Sequence, residues 1–174
     1  MLREFTWRVI AYIVTRPAVT DWLIQRAQRT PYSNITSPTD GSLYMGRWWL
    51  FNPYPAKSDG RRRRWGDWLP SIRIHHIVRP DGDRHLHDHP WNARTIILRG
   101  WYSEELPETP NWRRWHFRSR GYTGRLLFGQ FHRIDEVATG GAWTMFITWG
   151  YRGTWGFEVD GNKVPWREYL EVDQ

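Results

Sequence analysis

The sequence predicts an all-β domain, a jelly-roll-like barrel preceded by an N-terminal helical segment. Three observations lead there. From residue 71 onward, short β-prone runs are separated by turn signals at intervals of about eight to twelve residues. Tryptophan is abundant, with 14 copies in 174 residues, as in chains with aromatic barrel walls. The first thirty residues instead space their apolar side chains as a helix does.

Taken in order, Leu2, Phe5, Val9, Tyr12 and Ile13 are placed to share one helical face. Pro17 should break or restart the helix, and Asp21 lies near the start of a second helical stretch, Trp22 to Ala27. This segment is expected to pack over the outside of the barrel, although a basic amphipathic helix also suits a membrane surface. No signal peptide or membrane span is expected: Val9 to Val14 is too short an apolar run to cross a bilayer, and no small-residue cleavage site follows.

Thr30 to Asp59 is dense in turn signals, and within it Tyr44 to Phe51 reads as a strand. The arginine run Arg61–Arg64, followed by Trp65, reads as a solvated loop crest, with phosphate contact as the other option. Ser71 to Arg79 alternates, placing Ile72, Ile74, His76 and Val78 on one face and Arg73, His75, Ile77 and Arg79 on the other. Further strands are predicted at Thr95–Tyr102, Trp112–Arg118, Leu126–Ile134 and Ala142–Trp149, with a loop around Pro107 and Pro110. Gly153–Val159 and Lys163–Leu170 flank the hairpin signal Asp160-Gly161-Asn162. No repeat or linker divides the chain, which is read as a helical segment and extended arm over residues 1–43 and a barrel over residues 44–174.

The absence of cysteine excludes disulfides, thiolate-bound zinc and thiol nucleophiles, and fits a cytoplasmic location. The balance of 25 Lys+Arg against 18 Asp+Glu gives +7, nearly all of it arginine. Arginine prefers planar, bidentate partners, so an anionic ligand, nucleic acid or anionic lipid is expected if the charge serves more than solubility.

The most informative stretch is Asp81–Gly100, in which His85, His87 and His89 alternate. On an extended strand, side chains at i, i+2 and i+4 share a face, so neighbouring imidazoles can converge on one ion. Imidazole suits iron, zinc, nickel and copper.

His87-x-His89, followed after a short gap and a six-residue spacer by Gly100, resembles the first motif of the cupins. His132, in GQFHRIDE, stands where their second motif carries a further histidine. The stretch HDHPW…ILRGWY…FHRI…GGAWT…TWGF…VPWREYL is similar to a group of small cupin-like proteins of bacteria and their phages, over roughly residues 44–170. The resemblance implies a cupin-type double-stranded β-helix with a metal site of His87, His89 and His132. His85 is a further candidate ligand, ranked behind them because its spacing to Gly100 does not fit. The position of the cupin glutamate falls on Ala93, which cannot bind metal, so the implied site is one of three histidines without a carboxylate. The implied cofactor is a divalent transition metal, Fe(II) first, with zinc, manganese and nickel compatible. The hard ions Mg²⁺ and Ca²⁺ do not suit imidazole.

Three function classes follow. The first is a metal-dependent enzyme, an oxygenase ahead of an isomerase or lyase, acting on a small anionic substrate inside the barrel. Arg73, Arg94, Arg99 and Arg133 are its candidate anion-holding residues, with Arg99 and His75 as the catalytic pair; His75 can act as acid or base if Arg73 and His75 face inward. The second is a binding protein without turnover for a nucleotide or sugar phosphate, such as a phage protein sequestering a host metabolite. The third is nucleic-acid binding by outer arginines and tryptophans, which is not favoured because no recognised motif accompanies them. Asp88, between two ligands, should point away from them and orient a neighbouring loop or a histidine behind the ligands. A homodimer is compatible with the resemblance.

Overall fold

In the computed structural model, residues 2–37, 40–53, 68–82, 84–109 and 112–170 are described; the Arg61–Arg64 run and Trp65 lie outside them. Two helices, α1 (Leu2–Val14) and α2 (Pro17–Ala27), precede the strands β1 (Ile35–Thr36), β2 (Leu43–Phe51), β3 (Ser71–Ile77) and β4 (Asn92–Arg99). There follow β5 (Trp101–Thr109), β6 (Trp112–Ser119), β7 (Thr123–Leu126), β8 (Arg133–Val137), β9 (Ala142–Trp149), β10 (Gly156–Val159), β11 (Asn162–Pro165) and the single turn α3 (Trp166–Tyr169).

The larger sheet runs in the order β1-β2-β3-β9-β4-β7, antiparallel throughout. The facing sheet is β6-β5-β8, continued by the extended segment around His87, which bridges to His132 on one side and Phe157 on the other. The β10–β11 hairpin completes that side. The result is the expected all-β jelly roll, two antiparallel sheets with helices at the N-terminus.

The chain crosses between sheets at Gly100. This residue has φ +77, and a Cβ there would lie 2.3 Å from the carbonyl oxygen of Gly141. Only glycine meets both demands, positive φ and close backbone approach. The strand expected over Thr95–Tyr102 is therefore two strands, β4 and β5, meeting at that corner.

Pro107 belongs to β5 rather than to a loop. Pairing with β8 reaches only Glu105, and the β6 register shifts between Pro107 and Thr109, so the missing amide N–H falls at an edge beside an irregularity. The strand expected over Leu126–Ile134 is likewise divided, with a turn at Gly129 (φ +78) separating β7 from β8. In the last hairpin Asp160 and Gly161 both take positive φ, 49 and 78, as a two-residue turn requires, and Pro165 ends β11 where α3 begins.

The helices cover the outer face of the larger sheet. Ala11, Ile24 and Ala27 join Ile74, Ile96, Leu98, Met145 and Ile147 in one core, flanked by Trp7, Ile10 and Val14. The side of α1 that packs is thus Trp7, Ile10, Ala11 and Val14, not the stripe Phe5, Val9, Tyr12 and Ile13, which is exposed. Among the described residues, no helix is long and apolar enough to cross a membrane.

Candidate metal centre

The site begins with backbone pairing. His87 N–H donates to the His132 carbonyl and His132 N–H to the His87 carbonyl, both at 2.9 Å. On the other edge of the same segment, Asp88 N–H donates to Gly156 O at 3.0 Å and Glu158 N–H to Leu86 O at 2.8 Å. The segment is thus a short strand fixed on both sides, and alternation sends His87 and His89 to one face and Asp88 to the other. Asp88 is fully buried there. Its carboxylate accepts from Gly156 N–H at 2.8 Å and from the Lys163 ammonium, so it orients the last hairpin, as expected.

The rings of His87, His89 and His132 form a triangle with centroid separations of 5.2, 4.8 and 5.1 Å. One ligand nitrogen from each lies within 4.8 Å of the others, and Nε2 of His89 is 3.0 Å from Nε2 of His132. His132 is held from behind: its Nδ1 is 3.0 Å from Glu104 Oε1, and Arg118 Nε–H donates to Glu104 Oε2 at 3.0 Å. When Nδ1–H donates to that carboxylate, the lone pair of His132 is left on Nε2, the atom facing His89.

Electrostatics suits ligation. Burial holds the His87 ring down to about 4, against the opposing influence of Asp81, whose carboxylate is 3.9 Å from His87 Nδ1. Burial, together with the neighbouring His132 and His87 rings, holds His89 well below the ordinary imidazole value. For Glu104 burial acts upward, but the hydrogen bonds from His132 and Arg118 prevail and keep its pKa below the ordinary carboxylate value. Around neutral pH, His87 and His89 are therefore uncharged and the carboxylate behind His132 is charged. Neutral imidazoles converging without a carboxylate among them fit a borderline transition-metal ion.

The centre opens into a cavity of about 720 Å³ between the two sheets. On the opposite wall, Arg73 and His75 of β3 both face inward, sharing the one face that the alternation of that strand gives them. Arg73 is 1% exposed, and its guanidinium lies 5.0 to 6.0 Å from the rings of Trp91, Phe146, Trp49 and Tyr32. His75 stacks on Phe146 at 5.0 Å, and its buried Nε2 has no hydrogen-bond partner among the described residues. Burial, then Arg73, pushes the His75 pKa well below the ordinary imidazole value. Trp91 and Phe146 each also lie 6.0 Å from His89, so Arg73 and the histidine cluster flank the same two rings.

Other expected residues lie elsewhere. His85 stands outside the cluster, with Nδ1 2.9 Å from the Tyr169 hydroxyl. Arg99 is on the outer surface, half exposed and paired with Asp21 of α2, because the β4–β9 register shifts between Ile97 and Arg99 and breaks the alternation there. Arg94 points outward beneath α1, bonded to Glu4 at 2.6 Å and to Thr123 at 3.2 Å. Arg133 is engaged by Glu105 at 2.7 Å and Asp135 at 3.1 Å. Ala93, at the position of the cupin glutamate, is fully buried with Leu126, Phe146 and Trp91, so that part of the wall is apolar. Glu104 had no assigned face from sequence; the corner at Gly100 resets the alternation and turns it inward.

Among solved structures, the chain is similar to a structure described for the DMSP lyases RdDddP and RnDddQII, with 15% identity over 61% of this chain and 47% of that one, TM-score 0.43. It is similar to Fe(II)-HppE with the alternative substrate (S)-1-HPP, with 12% identity over 67% and 55% of the respective chains, TM-score 0.48. A third is oxalate decarboxylase from Bacillus subtilis, described with Mn(II) centres, with 11% identity over 60% and 26%, TM-score 0.42. The match spans about half the length of the first two. No family model matches the chain, and no curated protein does.

Proposed function

We propose that this barrel is a metal-dependent enzyme, an iron-dependent oxygenase or a related metalloenzyme, acting on a small anionic molecule. One observation carries the reading: three imidazoles converge within ligand reach of one another at one side of a cavity whose other wall presents a buried guanidinium. His87, His89 and His132 would hold the ion, Fe(II) first, with zinc, manganese and nickel fitting the same donors. Held by three neutral ligands, such an ion keeps its full charge and supplies Lewis-acid or redox chemistry at its open positions.

The protein's own groups have separate tasks. Arg73 anchors a carboxylate or phosphate through forked hydrogen bonds, strengthened by its apolar, aromatic surroundings. Neutral His75, beside that anchor, accepts a proton from the bound molecule through Nε2, or donates one in the other tautomer. Trp91 and Phe146 lie between anchor and cluster, exclude water and limit the ligand to one that spans both. A second reading, binding without turnover, is favoured by the aromatic ring around Arg73, which suits a planar nucleotide or sugar phosphate.

Elemental analysis of natively purified, untagged protein is the first test, followed by oxygen consumption and product detection over a panel of small carboxylates and phosphates. The parent is expected to carry one transition-metal ion per chain; His87→Ala and His89→Ala should lose it with the barrel still folded, and His85→Ala should retain it. Metal content equal in parent and His87→Ala would refute the site. Tight ligand binding by metal-loaded protein with no turnover across the panel would favour the second reading.

A further inference from the structure

Packing of α1 on the barrel uses one of its two apolar sides. Phe5, Val9, Tyr12 and Ile13 recur at i, i+4, i+7 and i+8 on the side directly opposite Ala11, and they are 69%, 41%, 65% and 52% exposed. On α2, Trp22 also points away from the buried Leu23, Ile24 and Ala27 and is 61% exposed. Exposed apolar side chains aligned along one helix face in this way mark a contact with something. Nothing within the described chain covers it.

Charge identifies the occupant. The acidic side chains of this helical layer are Glu4 and Asp21, and each is already engaged by an arginine of the barrel, Arg94 and Arg99 respectively. Arg8, Arg16, Arg26 and Arg29 form no ion pair among the described residues, and Arg16 lies over the exposed Tyr12 ring at 3.6 Å. Arg26 and Arg29 also line a cleft of about 550 Å³ between the end of α2 and β2. The layer is thus apolar along its crest and cationic around it. A second copy docked through the same face would set arginine against arginine, whereas a layer of anionic headgroups complements both features.

We propose that the outer face of α1 and α2 docks on an anionic lipid surface, with α1 lying in the interface plane and Phe5, Val9, Tyr12, Ile13 and Trp22 entering the headgroup boundary. The barrel mouth and histidine cluster take no part, so docking is independent of the metal reading.

The test is co-sedimentation of the full chain with sucrose-loaded vesicles of phosphatidylcholine alone or mixed with phosphatidylglycerol. Binding to the mixed vesicles at low salt, release by added salt and little binding to neutral vesicles are expected. The double variant Tyr12→Ser/Ile13→Ser should lower the partition coefficient roughly tenfold, and Arg8→Glu/Arg16→Glu by about as much, with circular dichroism unchanged. No binding to mixed vesicles, equal binding to both compositions, or undiminished binding by both folded variants would overturn the proposal. So would a dimer in sedimentation equilibrium that Tyr12→Ser/Ile13→Ser dissolves, since a second copy would then own the face.

Discussion

A histidine is useful as a ligand only while its ring is neutral, and burial secures this for His87, His89 and, across the cavity, His75. The same burial makes the metal-free protein sensitive to acid. In the unfolded chain these rings take up protons near pH 6.5, while in the folded chain they resist, His87 down to about 4. Below pH 6.5 the unfolded state therefore binds more protons, and stability falls as pH drops, until the folded rings also titrate. For His87 alone the separation corresponds to roughly 3 kcal/mol across that window. Urea unfolding of the metal-free protein between pH 7 and pH 4 should show this decline, and a flat profile would contradict neutral buried rings. Glu104 touches His132 and not the other two histidines, so its effect on the proposed site would pass through that ring. Glu104→Gln keeps the shape but removes the charge that fixes the His132 tautomer, so metal affinity should fall about 10- to 100-fold. Stoichiometry at saturating metal should be preserved, and competition titration with a chromophoric chelator reads both quantities.

At the scale of elements, the corner at Gly100 joins the two sheets of the barrel. Gly100→Ala places a methyl group against the Gly141 carbonyl in a backbone conformation that L-residues rarely adopt. A loss of at least about 2 kcal/mol is expected, read as a lower urea midpoint with an unchanged slope. That corner also explains what sequence could and could not show. Alternation within one strand makes His85, His87 and His89 legible together, and only the resemblance separates His87 and His89 from His85. Arg73 and His75 were legible as a pair on one face of β3 for the same reason. The inward face of Glu104 depends on the corner at Gly100 and the outward place of Arg99 on the irregularity between Ile97 and Arg99, and a regular strand over Thr95–Tyr102 hides both. His132 was found by resemblance alone, since its meeting with His87 is a long-range pairing with no local signal. For α1 the helical period was correct and the side was not. The helix offers two apolar stripes, and the barrel takes the one with the small Ala11, which permits close approach to the sheet beneath Trp7, Ile10 and Val14.

For the whole molecule, the position of the cluster would make the proposed metal binding a property of the fold and not only of a few side chains. His87 and His89 come from a segment clamped between β10 and His132, the residue that immediately precedes β8. The three donors are brought together only when that side of the barrel is assembled, so an ion that binds them binds the folded state preferentially. At a free metal concentration 100 times the dissociation constant, this linkage adds about 2.7 kcal/mol. For a chain of this length that corresponds to a rise in Tm of roughly 5 to 10 °C. Differential scanning calorimetry should show that rise on adding Fe(II) under anaerobic conditions, or Zn(II), with reversal by chelator. His89→Ala should unfold near the Tm of the metal-free parent and show no rise, whereas His85→Ala should respond as the parent does. A rise of equal size in His89→Ala would mean that the ion stabilises the barrel from somewhere other than the histidine cluster, and the assignment of that cluster as the metal centre would fall.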